Sequence, residues 1–199
     1  MEREQWDERY RADELIWKVE PNRFLVEEVA GLVPGRALDL ACGEGRNALW
    51  LAERGWQVTA VDFSAVGLEK ARRLASERDL ELLLVEADVL EWEPPAASFD
   101  LVIVMYLHLP ATVRRRALQA AASGLAPGAT LLVVGHDSTN LLEGVGGPQD
   151  PAVLFSPQDI VGDLGGLEIV RAERAARPVA TDDGHVDAID TIVRAVRRS

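Results

Sequence analysis

Three acids stand where short apolar runs give out: Asp39 in Ala37-Leu38-Asp39-Leu40, Asp62 after Trp56 to Val61, and Asp88 in Ala87-Asp88-Val89. The first leads into Cys42-Gly43-Glu44-Gly45-Arg46-Asn47, two glycines between a strand-like and a helix-like stretch. Glycine there lets the chain turn tightly and lets a ligand approach without meeting a Cβ. Free N–H groups at the following helix start favour an anion, either pyrophosphate or carboxylate. The spacing Gly43-x-Gly45-x-x-Ala48 alone suits a dinucleotide equally well. Asp39, four positions before Gly43, separates the readings: it would repel a pyrophosphate and suits an ammonium group. Asp62, seventeen positions after Gly45, can accept both hydroxyls of a ribose. Asp88 can accept from an adenine amino group. Each acid by itself reads as a cap or turn residue. Three at successive strand ends point to a ligand carrying adenosine, carboxylate and ammonium.

The elements that must position these groups follow from apolar patterning. Arg36 to Ala41, Trp56 to Val61, Glu81 to Val85, Phe99 to Met105 and Ala129 to Val134 read as strands, the fourth almost unbroken, as for a strand covered on both faces. Helical stretches cover Asn47 to Arg54, a run capped by Ser64 and ending at Arg78, and Thr112 to Ser123, with Pro127-Gly128 a turn. This alternation predicts an α/β fold with a right-handed, doubly wound, mostly parallel sheet. After it, Pro157 to Leu164 reads as a helix, and Leu167 to Arg174 with Ala188 to Val196 as an antiparallel edge pair. His185 falls in the loop between them. His136 to Ser156, rich in Gly, Pro and Asp, reads as a long substrate-side loop. No linker divides the chain, so residues 1–199 read as one domain.

Composition removes other classes. The 199 residues are 48% hydrophobic and 27% charged, outside the range of collagen-like, coiled-coil or disordered chains. Thirty-three acids against 21 basic residues give a net charge of −12, which argues against nucleic acid as the main partner. The single cysteine, Cys42, excludes an internal disulfide or a multi-thiolate zinc site and reads as packing inside the turn. Met1 to Trp6 lacks a secretory core, and no apolar run nears the ~18 residues of a membrane span. The expectation is a cytoplasmic protein, monomer or homodimer, without a membrane partner.

The glycine segment Asp39 to Gly45 resembles the first motif of the class I S-adenosylmethionine-dependent methyltransferases, with Ala41 where many members have glycine. Asp62-Phe63 resembles their second motif, Ala87-Asp88-Val89 the third, Phe99-Asp100-Leu101-Val102 the fourth, and Ala126 to Leu131 the turn before strand five. The likeness spans Arg36 to Gly135. It implies a Rossmann-like seven-stranded sheet with an antiparallel last strand and S-adenosylmethionine as cofactor. Gly43 and Gly45 would line its methionine part, with Asp39, Ala41, Arg46 and Asn47 around the same turn. Asp62 would hold the ribose beside Ser64, Phe63, Asp88 and Val89 the adenine, and Met105 would close the site from strand four.

Trp6-Asp7-Glu8-Arg9-Tyr10, then Trp17, is similar to the opening of thiopurine, halide and tellurite-resistance-type methyltransferases, where an aromatic segment (here residues 1–21) folds over the cofactor. Gly45-Arg46-Asn47 resembles the tellurite-resistance branch, whereas Lys18 to Asn22 departs from the thiopurine and halide pattern. Trp6, Tyr10 and Trp17 could face a sulfonium through their rings, or simply anchor the arm. The resemblance implies in-line methyl transfer to a small-molecule acceptor, with soft sulfur, selenium, tellurium or halide nucleophiles ahead of oxygen and nitrogen. A base is needed only for a protonated acceptor. Tyr106 and His108 after strand four, and His136 and Asp137 after strand five, are the candidates. Met105-Tyr106 stand where metal-dependent relatives carry a metal-binding carboxylate, so no metal is expected. The competing readings are a nicotinamide-dependent oxidoreductase and a non-catalytic protein that binds the cofactor for regulation.

Overall fold

The computed structural model describes residues 3–12, 14–16, 20–181 and 184–198. The chain opens with helices α1 (Arg3–Tyr10) and α2 (Arg23–Val29), then enters the alternation β1 (Arg36–Leu40), α3 (Arg46–Ala52), β2 (Gln57–Asp62), α4 (Ala65–Glu77), β3 (Leu82–Glu86). It continues through β4 (Phe99–Met105), α5 (Ala111–Ser123), β5 (Leu125–His136), short α6 (Asn140–Glu143), a 3-10 turn at Pro151–Val153, α7 (Pro157–Asp163), β6 (Glu168–Thr181) and β7 (Gly184–Val196). Among the described residues these strands form one seven-stranded sheet in the order β3-β2-β1-β4-β5-β7-β6. Strands β1 to β5 are parallel neighbours, and β7 runs antiparallel to both β5 and β6. The expected doubly wound, mostly parallel sheet with an antiparallel last strand is therefore the observed one. Among the described residues no helix is long and apolar enough to cross a membrane.

The central strands explain the apolar runs. On β4, Leu101, Val102 and Ile103 are fully buried, as are Leu131 and Leu132 on β5. One core packs on each face of the sheet: Val102, Val104, Leu118 and Phe155 on one side, Leu101, Ile103, Trp50 and Phe24 on the other. Local chemistry sets the helix starts. Ser64 accepts the Gly67 N–H to begin α4, and a Ser156/Asp159 capping box with Pro157 in the first turn begins α7.

Four expectations change. Pro127-Gly128 does not precede the fifth strand; it is a bulge within it, since Phe99 pairs with Leu125 and Leu101 with Thr130 while Gly128 takes φ +79°. The last two strands are longer than their apolar cores suggest, because pairing continues from Val196 opposite Glu168 to Gly184 opposite Thr181. Pro178 is accommodated because β6 is an edge strand. His185 consequently lies within β7, opposite Ala180, and not in a loop. His136 ends β5 instead of following it.

Candidate active site at the carboxyl ends of the parallel strands

After β1 the chain turns through three left-handed residues, Ala41 (φ 62°), Gly43 (φ 56°) and Gly45 (φ 79°). A Cβ on Gly43 would stand 2.7 Å from the Tyr10 hydroxyl, and one on Gly45 2.8 Å from the Ala71 Cβ, so both glycines answer close approaches. Asp62, at the end of β2, anchors the turn: Gly43 N–H donates to one carboxylate oxygen at 2.8 Å and Ser64 N–H to the other at 2.9 Å. Each oxygen keeps a lone pair for a further donor. Burial raises the Asp62 carboxyl from its ordinary value, and these N–H groups pull it back.

Asp39 differs. It is buried, and among the described residues its Oδ2 meets no hydrogen-bond donor. Burial and then the Asp62 charge raise its carboxyl to about 7, against the opposing pull of Arg46. An unsatisfied interior carboxylate oxygen beside an open glycine turn is complementary to an ammonium group, and two phosphates there would be repelled. These residues fit S-adenosylmethionine: Asp39 toward its ammonium, Asp62 toward its ribose. Asp88 is half-buried, with one oxygen accepting the Leu90 N–H and the other available, and Val89 is buried beside it. Phe63 is half-buried and Met105 buried at the end of β4. Burial also pushes the Cys42 thiol up, away from the reactive thiolate.

The N-terminal arm lies on this turn. Trp6 and Tyr10 stack at 5.4 Å, Asp7 accepts the Ser64 hydroxyl, and the Tyr10 ring lies against Gly43 and Gly67. Lys70 donates to the carbonyls of Ala12 (2.7 Å) and Glu14 (2.9 Å) and to Glu44 (2.9 Å), while Ile16 N–H donates to Glu44 (3.0 Å). Asn22 caps α2 and gives its own N–H to Asn47 in α3. Trp17 lies outside the described residues.

On the other side, the ends of β4 and β5 bring Tyr106, His108 and His136 together. Tyr106 and His136 rings are 5.1 Å apart, His108 and His136 5.5 Å, and Phe155 stacks on His108 at 5.6 Å. Tyr106 holds φ 57°, a left-handed conformation disfavoured for an aromatic residue and typical of functional turns. Its hydroxyl donates to Asp190 at 2.8 Å and accepts from Asn22 at 3.3 Å. Burial and the Asp190 charge push that hydroxyl well above its usual range. His108 Nδ1 stands 3.3 Å from the Val153 carbonyl, and its ring is pushed down to about 4 by burial first and His136 second. Asp137 is consumed by structure: it accepts from Thr139, Thr191 and Arg174. It holds the loop and is no candidate base.

Asp190, Arg177, Lys70, Glu44 and Asn22 were not foreseen as functional positions. For Asp190 a signal existed: an acid inside the apolar run Ala188-Ile189-Asp190-Thr191-Ile192 of a buried strand is costly unless partnered.

A sheet in this order, with a glycine turn after β1, an acid at the end of β2 and an unsatisfied acid at the end of β1, is the arrangement that the resemblance to the class I S-adenosylmethionine-dependent methyltransferases implies. Residues 37–128 match the family model for the methyltransferase domain. A demethylmenaquinone methyltransferase of Thermus thermophilus is 40% identical over 123 residues, 61% of this chain and 54% of its own. A 2-heptyl-1-hydroxyquinolin-4(1H)-one methyltransferase of Mycobacteroides abscessus is 30% identical over 127 residues, 62% of this chain and 55% of its own. The chain thus spans about half the length of these curated relatives. Among solved structures, a protein studied for conversion of a disulfide bond into a thioacetal group during echinomycin biosynthesis superposes with TM-score 0.76 at 25% identity, covering 98% of this chain and 92% of its own.

Proposed function

We propose that the protein transfers the methyl group of S-adenosylmethionine to a small-molecule acceptor, with soft nucleophiles, sulfur foremost, ahead of oxygen and nitrogen. The observation that carries the cofactor half is the buried Asp39 oxygen beside the glycine turn that meets no donor among the described residues. It weighs against a nicotinamide dinucleotide, whose pyrophosphate would meet a carboxylate there.

Bound S-adenosylmethionine supplies an electrophilic methyl group on a sulfonium. The residues of the chain then have to hold, align and keep dry the two partners. Asp39 would hold the methionyl ammonium and Asp62 the ribose, Asp88 and Val89 would border the adenine, and Tyr10 would close the turn from above. Tyr106, His108 and His136 line the acceptor side. The neutral His108 beside Phe155 and the Tyr106 ring suits a polarisable acceptor better than a strongly hydrated one. The sulfur chemistry of the echinomycin-pathway neighbour supports the same preference, as does the likeness of the arm and of Gly45-Arg46-Asn47 to the tellurite-resistance branch.

A second reading is favoured by the same rings. Four stacked or tilted aromatic side chains offer edges to a planar ring acceptor, and the two curated relatives carry quinone and quinolone names. Incubation with S-adenosylmethionine and a panel of thiols, selenite, tellurite, iodide and ring hydroxyls, followed by mass-spectrometric detection of S-adenosylhomocysteine, separates them. Turnover with thiols above ring hydroxyls is expected. The reverse order would select the second reading, and cofactor binding without turnover on any acceptor would leave a regulatory binder.

A further inference from the structure

Asp190 sits fully buried on β7, directly opposite His136 in the β5–β7 ladder. Three side chains converge on its carboxylate. Tyr106 Oη donates to Oδ2 at 2.8 Å, Arg177 Nε donates to the same oxygen at 2.6 Å, and Oδ1 lies 3.3 Å from His136 Nδ1, within ion-pair reach but off the hydrogen-bond line. Burial works against this charge, yet the contacts to His136, Arg177 and Tyr106 hold the carboxyl below its ordinary range. The carboxylate is therefore held as an acceptor with one oxygen, itself without a hydrogen-bond donor among the described residues, 3.3 Å from the imidazole. An ionised acceptor beside Nδ1 selects the tautomer that carries its proton there and leaves Nε2 with a lone pair.

The far edge of the ring is also arranged. Gly147, at φ +76°, passes so close that a Cβ would stand 2.6 Å from Cδ2 and 2.9 Å from Nε2 of His136. Glycine keeps the Nε2 edge uncrowded. Asn22 ties the pair to the cofactor side, since its N–H donates to Asn47 beside the glycine turn and its amide to Tyr106 Oη. His108 lacks comparable support: its Nδ1 faces a carbonyl, and among the described residues no carboxylate is paired with it, Asp190 acting on it only as the last and smallest of several influences.

Resting on the methyltransfer reading above, we propose that His136 is the general base, that Asp190 is its positioning residue, and that the acceptor arrives protonated, as a thiol, selenol or acidic hydroxyl. The acceptor's proton passes to His136 Nε2 as its lone pair forms the bond to the methyl carbon. The sulfonium–methyl bond breaks with its electron pair left on sulfur. The positive charge that begins on the sulfonium ends on the imidazolium, beside Asp190. The charged and titratable groups around that imidazole are Asp190 from β7, Arg177 from β6 through Asp190, and Tyr106 and His108 from the end of β4. An acceptor that is already an anion needs none of this.

Histidine-selective nitrogen NMR on the 15N-labelled full chain, with S-adenosylhomocysteine added and His136 assigned by its loss in His136→Gln, tests the proposal without an acceptor. Neutral His136 is expected to favour the Nδ1–H tautomer by about tenfold or more, and Asp190→Asn to abolish that preference. An Nε2–H tautomer in the unsubstituted protein would overturn the proposal even if Asp190→Asn does not fold, and so would a preference that Asp190→Asn leaves intact. Calorimetric binding of S-adenosylhomocysteine reports separately on the cofactor reading, so the two can fail independently.

Discussion

Lys70 and Glu44 form an ion pair at 2.9 Å in the interior, and the same two side chains hold the N-terminal arm through Ala12, Glu14 and Ile16. The pair therefore joins three separate stretches: the glycine turn, helix α4 and the segment that follows α1. Docking of the arm over the cofactor turn depends on a salt bridge and not only on the aromatic contacts of Trp6 and Tyr10.

Removing one partner leaves a buried charge without its counterion. Lys70→Met is expected to cost about 3–5 kcal/mol and to expose the Arg11 bond to trypsin well before the body of the domain is cut. The double variant Lys70→Met with Glu44→Gln should recover part of the stability. Thermal denaturation of the two variants checks this; equal losses would mean that the charges are not coupled.

Asp39 makes cofactor binding pH-dependent. Its carboxyl is raised to about 7 in the folded protein, so the folded state holds that proton more tightly than the unfolded chain. The contribution to stability is therefore complete near pH 4 and is lost as pH rises through 7. A ligand ammonium needs the ionised form, so binding below pH 7 must release a proton. S-adenosylhomocysteine affinity should fall by up to about tenfold for each unit below 7. Calorimetry at pH 6 in buffers of different ionisation enthalpy should show the release. Asp39→Asn should abolish it, weaken binding, and stabilise the ligand-free protein at pH 8 by on the order of 1–3 kcal/mol.

Gly43→Ala should weaken cofactor binding at modest cost to the fold. The left-handed φ costs about 1–2 kcal/mol, and the new methyl displaces the Tyr10 hydroxyl 2.7 Å away. Tyr10→Ala on the same background should relieve the contact but not the backbone strain. Binding and melting measurements on both variants separate the two costs.

Asp62 and Asp88 should respond differently to alanine. Asp62 accepts two buried N–H groups, so Asp62→Ala should lose cofactor affinity and about 2–4 kcal/mol of stability together. Among the described residues the Asp88 side chain accepts only the Leu90 N–H, within a half-exposed turn. Asp88→Ala should keep stability within about 1 kcal/mol and still lose affinity several-fold. A stability loss for Asp88 as large as that for Asp62 would assign both to the scaffold alone.

Much of this was readable because it is local. Asp39, Gly43 and Gly45 are set by a strand meeting a turn, and Ser64 by its place before a helix. The doubly wound, mostly parallel sheet follows from strand–helix alternation and right-handed crossovers. The length of the β6–β7 hairpin was not, because its outer half is exposed and carries no apolar alternation to mark it. Pro127-Gly128 misled for the opposite reason: turn residues also make bulges. The Asp190–His136 and Lys70–Glu44 pairs escaped because each joins positions brought together only by the tertiary fold, the first by the β5–β7 ladder and the second by α4 packing on the glycine turn. Their side chains are ordinary surface types until the fold buries them.

The most direct test of the account is titration of the full chain with S-adenosylhomocysteine by isothermal calorimetry, with NADH as the comparison. The account predicts saturable one-to-one binding of S-adenosylhomocysteine, weakened by Asp39→Asn, and no heat from NADH. No binding of S-adenosylhomocysteine at millimolar concentration, or saturable binding of NADH in its place, would contradict it.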